Sequence, residues 1–186
     1  MNKRKDPYEE CPILETKHFL FRLVEEGDAK DLLKCYSDHK AIRLFNSDNC
    51  TSDFSYKTEE EVLGLIQFWI MEYQNRGYVR FSIVDKTRKS AIGTIEIFAR
   101  KDRKPAFGTI GVFRLDLVSE YEKIEAISEI LNMTDLHFPD LFGIDSIITK
   151  AIIEAENRIK ALETNGYHKL VDQSITSYSD YYIKKW

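Results

Sequence analysis

The chain has 186 residues, 43% hydrophobic and 31% charged, with a formal net charge of −4 and a pI near 5.7. That length supports one domain with a sizeable core, the acidic balance speaks against a nucleic-acid surface, and no stretch approaches a membrane span. Cys11, Cys35 and Cys50 are odd in number and lack C-x-x-C spacing, and His18, His39, His137 and His168 are scattered singly. Neither a disulfide framework nor a metal site is expected, and a reducing cytoplasm is the expected compartment.

The basic opening Met1–Lys5 runs into Asp6, Glu9 and Glu10 without an apolar segment, so it is no secretory signal. Residues 1–11 read as a flexible segment ahead of one domain over 12–186. Phe19 to Val24 forms a β-rich run, and Gly27-Asp28 supplies a turn and an N-cap for a helix bearing Ala29, Leu32, Leu33 and Tyr36 on one face. An irregular polar stretch spans Asn46 to Ser55. Thr58 and Glu61 then form a capping box for a helix with the stripe Val62, Leu65, Ile66, Trp69, Ile70 and Tyr73, ending near Asn75-Arg76-Gly77.

Three strands follow in succession, Val79 to Val84, Ala91 to Ala99 and Phe107 to Leu117, linked by polar turns as an antiparallel meander. The basic cluster Lys101 to Lys104 reads as a solvated hairpin tip. After a helix running toward His137 come a strand at Ile144 to Thr149 and a helix from about Ile153 to Thr164. A closing hairpin of Tyr167 to Val171 and Tyr178 to Ile183 completes an α+β order.

The segment Val118–Lys123 carries the sharpest local signal. Ser119, with Glu122 three residues on and Ile124, Ile127 and Leu131 behind it, reads as a second capping box. Such a box closes a helix N-terminus whose free N–H groups and positive dipole end otherwise favour an anion. Glu120, Glu122 and Glu125 add carboxylates that repel phosphate, against the single cation Lys123.

Three segments, Ile13–Leu23 (ILETKHFLFRL), Ala91–Phe98 (AIGTIEIF) and Asn157–Tyr167 (NRIKALETNGY), resemble in order the opening strand, third strand and fourth helix of the GNAT superfamily. The similarity is to the branch that includes the ribosomal-protein N-terminal acetyltransferases, and it covers nearly the whole chain. It implies a mixed, mostly antiparallel sheet flanked by helices, whose fourth and fifth strands splay apart to leave a slot for the pantetheine arm. It also implies transfer of an acyl group from acyl-CoA, with acetyl-CoA as cosubstrate, to a small-molecule or peptide amine. The family's Q/R-x-x-G-x-G/A loop has no glycines here. On this resemblance the cofactor-side residues are Leu117, Val118, Ser119, Lys123 and Asn157. The family's acidic tyrosine aligns with Leu162, and its helix asparagine with Ala155, two residues from Asn157.

An amine nucleophile must lose a proton, and Glu96 and Asp116 are the carboxylates best placed to take it. Each has an ordinary alternative, a place in solvent or a salt bridge with Arg114 or Arg100, because strand alternation sends every second side chain to the other face. Tyr121 is either a hydrogen-bond donor to substrate or thiolate, or a cover for a neighbouring strand. Tyr178, Tyr181 and Tyr182 offer one face to a substrate cavity or a homodimer contact, and the negative total charge hints at a cationic acceptor. The competing function, of a different class, is a non-catalytic ligand-binding or protein-interaction module that keeps the fold and has lost the pyrophosphate grip.

Overall fold

The structure, a computed structural model, describes residues 6–186. In chain order the elements are β1 (Leu14–Glu15), β2 (Phe19–Leu23), α1 (Ala29–Tyr36), α2 (His39–Ile42), α3 (Glu59–Gln74), β3 (Val79–Asp85), β4 (Ser90–Lys104) and β5 (Gly108–Leu117). They continue with α4 (Ile124–Phe142), β6 (Ser146–Lys150), α5 (Glu156–Thr164), β7 (His168–Lys169) and β8 (Tyr181–Lys185). One sheet runs β1-β2-β3-β4-β5-β6-β8-β7. Every neighbouring pair is antiparallel except β5 with β6, which the crossover through α4 makes parallel.

Alternation along the central strands separates two interiors. Phe81, Ile95, Ile97, Phe113, Leu115 and Leu117 turn to one face and pack with Ile127, Leu131 and Phe138 of α4 and Leu162 of α5. On the other face α1 and α3 bury Leu32, Tyr36, Val62, Ile66 and Trp69. The capping box of α3 forms as the sequence indicates, Thr58 taking the Glu61 N–H and Glu61 the Thr58 N–H. Gly93 lets β4 and β5 approach, since a Cβ there would lie 2.0 Å from the Asp116 carbonyl oxygen.

Four sequence expectations need correction. Residues 6–11 pack against the domain: Tyr8 stacks on Tyr73 at 6.2 Å, the Tyr73 hydroxyl donates to the Pro7 carbonyl at 3.1 Å, and Asp6 pairs with Arg76. Residues 1–5 lie outside the described residues. Asp28 does not cap α1, because its carboxylate takes the Arg22 guanidinium at 2.6 and 2.8 Å and the Ser82 hydroxyl at 2.6 Å. β4 continues through the expected turn to Lys104, with a register shift between Ala99 and Arg103. The closing hairpin is reduced to β7, two residues long, joined to β8 by a long loop.

Candidate active site

The β5–β6 register ends at Phe113 opposite Thr149, and beyond it Arg114–Leu117 keep only β4 as a partner. This is the expected splay. The Val118 N–H still goes to the Ile92 carbonyl on the β4 edge at 3.0 Å. By alternation the backbone groups of Leu115 and Leu117 face the other way, into the gap. A buried arginine fills that gap. Arg158 of α5 donates through Nη1 to the carbonyls of Leu115 at 3.0 Å and Leu44 at 3.1 Å, and it pairs with the Glu122 carboxylate. Asn157 Nδ2 donates to the Glu122 carbonyl at 2.8 Å. Outside this pair is a cavity of about 210 Å³ lined by Leu44, Glu122 and residues 154–158.

The capping box expected at Ser119 and Glu122 does not form. Ser119–Tyr121 is a short 3-10 turn, α4 begins at Ile124, and its N-cap, Lys123, makes no side-chain cap. Two distant partners outcompete the local pattern. Asp38 takes the Ser119 N–H at 2.8 Å, and Arg158 draws Glu122 inward, leaving it 9% exposed. The first turn of α4 therefore keeps its N–H groups free of any side-chain cap. Glu120 is paired with Arg88 at 2.6 Å, so two of the three carboxylates expected to repel a phosphate are matched by cations. Burial raises the Asp38 carboxyl, but hydrogen bonds from Ser119 and from the N–H groups of Lys40 and Ala41 outweigh it and hold the group below its ordinary value.

The α1/α3 face of the sheet carries a charged row. Arg80, Glu96 and Arg114 stand directly opposite one another on β3, β4 and β5, with Ser82, Thr94 and Asp116 as the next row. Charges alternate across the first row: Glu96 pairs with Arg80 through one oxygen and with Arg114 at 3.0 Å through the other. Asp116 accepts from Arg80 at 3.1 Å and from the Tyr36 hydroxyl at 2.9 Å, and Trp69 lies 4.1 Å from the Arg80 guanidinium carbon. A cavity of about 240 Å³ opens above, walled by Phe54, Leu65, Phe68, Trp69 and Tyr78, with Arg80, Glu96 and Arg114 as its floor. The Nε atoms of Arg80 and Arg114 are buried without an acceptor among the described residues, so unused hydrogen-bonding capacity concentrates there.

A second cavity, about 390 Å³, lies on the far side of Arg114 and Asn49 beneath residues 173–178. The Tyr178 hydroxyl crosses between the two cavities to Asn49 Oδ1 at 2.6 Å. The loop carrying Asn49 is pinned beside it: Asp48 pairs with Lys150 at 2.7 Å, and Asn46 donates to the Tyr181 hydroxyl at 2.9 Å. Tyr181 and Tyr182 are thus interior residues, and the expected tyrosine surface for a dimer reduces to Tyr178. A groove of about 450 Å³ lies between residues 15–17 and the outer face of α4 and holds none of these side chains.

The predicted site residues divide accordingly. Glu96 lines the first cavity, whereas Asp116 is enclosed by Tyr36 and Arg80 and lines none. Tyr121 is not beside the slot. Its hydroxyl donates to Asp85 of β3 at 2.6 Å, two strands away from β5 on the side opposite the splay, and burial followed by Asp85 pushes its pKa up to about 12. Leu117, Val118, Ser119, Lys123 and Asn157 all border the β5 end and the α4 start; Lys123 and Asn157 are exposed, Val118 and Ser119 half-buried and Leu117 buried. Leu162 is core. Sequence reasoning missed Arg158, Arg80 and Tyr36. A usable signal was Arg80 itself, a charge inside the apolar run Val79–Val84 that burial obliges to find partners.

No protein-family model matches the chain. A curated relative, the uncharacterized N-acetyltransferase YoaA of Bacillus subtilis (strain 168), is 24% identical over 160 residues, 85% of this chain and 84% of the relative. Among solved structures, a GNAT-family acetyltransferase from Bacillus anthracis superposes with a TM-score of 0.67 at 13% identity, covering 94% of this chain and 98% of that one. This chain has the GNAT fold. RimL, a ribosomal L7/L12 alpha-N-protein acetyltransferase in complex with coenzyme A, superposes with a TM-score of 0.69 at 13% identity and the same coverage. Among the described residues there is no group of metal-ligating side chains, and no helix is long and apolar enough to cross a membrane.

Proposed function

We propose that the chain is an acyl-CoA-dependent N-acyltransferase that moves an acyl group, in the simplest case acetyl, to an amine by direct attack. The observation that carries this reading is the splay of β5 from β6 beyond Phe113 and Thr149 within a GNAT fold. The N-acetyltransferase relative and the coenzyme A-bound structural neighbour support it. The backbone of Leu115 and Leu117 then serves the pantetheine arm. The uncapped N–H groups at the start of α4, with Lys123 and Asn157 alongside, serve the pyrophosphate in place of a glycine loop.

The amine reaches the thioester from the cavity above Glu96. Holding both reactants in one cleft removes much of the entropic cost of their encounter, and strand N–H groups polarise the thioester carbonyl as the tetrahedral intermediate forms. Glu96 is the acceptor-side carboxylate that takes the amine proton. Asp116 is a positioning residue, since it holds the Arg80 that holds Glu96. The departing thiolate takes its proton from water, because Leu162 is aliphatic and Tyr121 is committed to Asp85. Among the described residues lining the cavity of about 240 Å³, Arg80 and Arg114 stand against the carboxylate Glu96, a balance that opposes a polycationic acceptor and favours an amine that also carries a carbonyl or carboxylate. We further read residues 12–186 as one domain acting in the cytoplasm.

Calorimetric titration with acetyl-CoA, followed by thiol release with a panel of amino acids, peptides and polyamines, tests the reading. Binding is expected, and at ~100 times the dissociation constant it adds about 2.7 kcal/mol to the stability. Absence of both binding and thiol release at millimolar acetyl-CoA would leave the non-catalytic module, the reading that the filled slot favours.

A further inference from the structure

The Glu122–Arg158 pair stands where the arm of an acyl-CoA has to pass. Arg158 is 3% exposed, and its Nη1 holds the Leu115 carbonyl, one of the backbone groups that strand alternation turns into the splay. The guanidinium thus takes the hydrogen-bonding place of an added strand. The same nitrogen also holds the Leu44 carbonyl, while the rest of the fork addresses Glu122. The cavity of about 210 Å³ beside it is bounded by Leu44, Glu122 and the start of α5, and leaves room for the side chain to swing out of the gap. A guanidinium keeps its charge at every accessible pH, so wherever it moves it needs an anion, and phosphate oxygens match its fork as well as a carboxylate does.

We propose, on the acyl-CoA reading, that Glu122 and Arg158 form an exchangeable stopper. Arg158 leaves the Leu115 carbonyl when the pantetheine arm enters, and its guanidinium passes from Glu122 to the pyrophosphate. In a loop without glycines, the phosphate-binding cation comes from α5, and the Glu122 carboxylate is an internal competitor for the cofactor's own anion.

The test is a pair of titrations on each folded chain, one with CoA and one with pantetheine, which has the arm and no phosphates. Glu122→Gln is expected to tighten CoA by roughly tenfold, the scale of one charge-assisted hydrogen bond, and to change pantetheine much less. Arg158→Met is expected to weaken CoA by about the same factor while pantetheine binds as well as before or better. Arg158→Lys, which keeps the charge and cannot span the two carbonyls, serves if the Met variant does not fold. It should retain CoA binding and gain pantetheine binding. A CoA-to-pantetheine affinity ratio that is the same in wild type, Glu122→Gln and the Arg158 variants overturns the stopper alone. Binding of neither ligand to any folded chain overturns the acyl-CoA reading and the stopper with it.

Discussion

From Gly111 to Phe113, strand β5 is paired with β4 on one edge and β6 on the other; from Arg114 to Leu117 it keeps β4 and loses β6. The two halves solve the same problem, a buried backbone whose polar groups require partners, in different ways. The first uses a neighbouring strand, which is local in geometry and continuous. The second uses a side chain, Arg158, delivered from a helix 43 residues further along. A strand edge satisfied by a side chain is one that another molecule can take over, because a side chain can swing away while a strand cannot. The contrast extends to the charges: the Arg80–Glu96–Arg114 row is locked within the sheet, and the Glu122–Arg158 pair lies at the mouth of a cavity.

If the sheet-bound row is the permanent one, breaking it costs most. Glu96, 3% exposed, is the carboxylate shared by Arg80 and Arg114, so Glu96→Gln leaves Arg80 with Asp116 alone and takes away the Arg114 ion pair, and a loss of about 3–5 kcal/mol is expected in urea unfolding. A loss below about 1 kcal/mol would mean that water already reaches the row. Arg158→Met is expected to cost less, roughly 1–3 kcal/mol, because Glu122 at the cavity mouth can turn to solvent once its partner is gone. Equal losses at the two sites would erase the distinction between locked and exchangeable pairs.

Acid sharpens the comparison on the cofactor side. Asp38 has its folded pKa depressed, so the stability it lends through Ser119 is present above the ordinary carboxylate value near ~3.9 and is lost as pH falls through the lower folded value. The Ser119 amide proton, followed by NMR, should titrate below that ordinary value and report release of the loop. A midpoint at or above it would show that Asp38 does not hold the loop. The smallest effect is expected for Glu120→Gln, which removes a solvent-screened ion pair with Arg88 and should leave the urea unfolding midpoint unchanged.

Legibility from sequence follows the range of the interactions. The helix Glu59–Gln74 is readable because its capping box and apolar stripe lie within residues 58–74. The three central strands are readable through alternation, and the splay through an ordered resemblance spanning the chain. The Ser119–Glu122 box fails for the converse reason: its residues satisfy the local pattern, yet Asp38, 81 positions earlier, and Arg158, 36 later, bind them more strongly. The two-residue β1 and the four-residue α2 fall below any periodic signal. Glu96 is visible as a carboxylate interrupting apolar sequence. That both its oxygens would meet arginines depends on the register of three strands, which no single segment contains.

Leu44 ties the stopper to the opposite cavity. Its carbonyl is held by Arg158, and it lies two residues before Asn46 and five before Asn49, in the loop that borders the cavities of about 240 and 390 Å³. On the stopper proposal, departure of Arg158 removes one fastening of that loop, and occupancy of the slot is expected to loosen the wall of the cavity above Glu96. The steady-state outcome expected of that coupling is a compulsory order, with acyl-CoA first and amine second, and free CoA the last product to leave. CoA should then inhibit competitively against acyl-CoA and non-competitively against the amine. Competitive inhibition by CoA against both substrates would show that the Leu44 fastening transmits nothing.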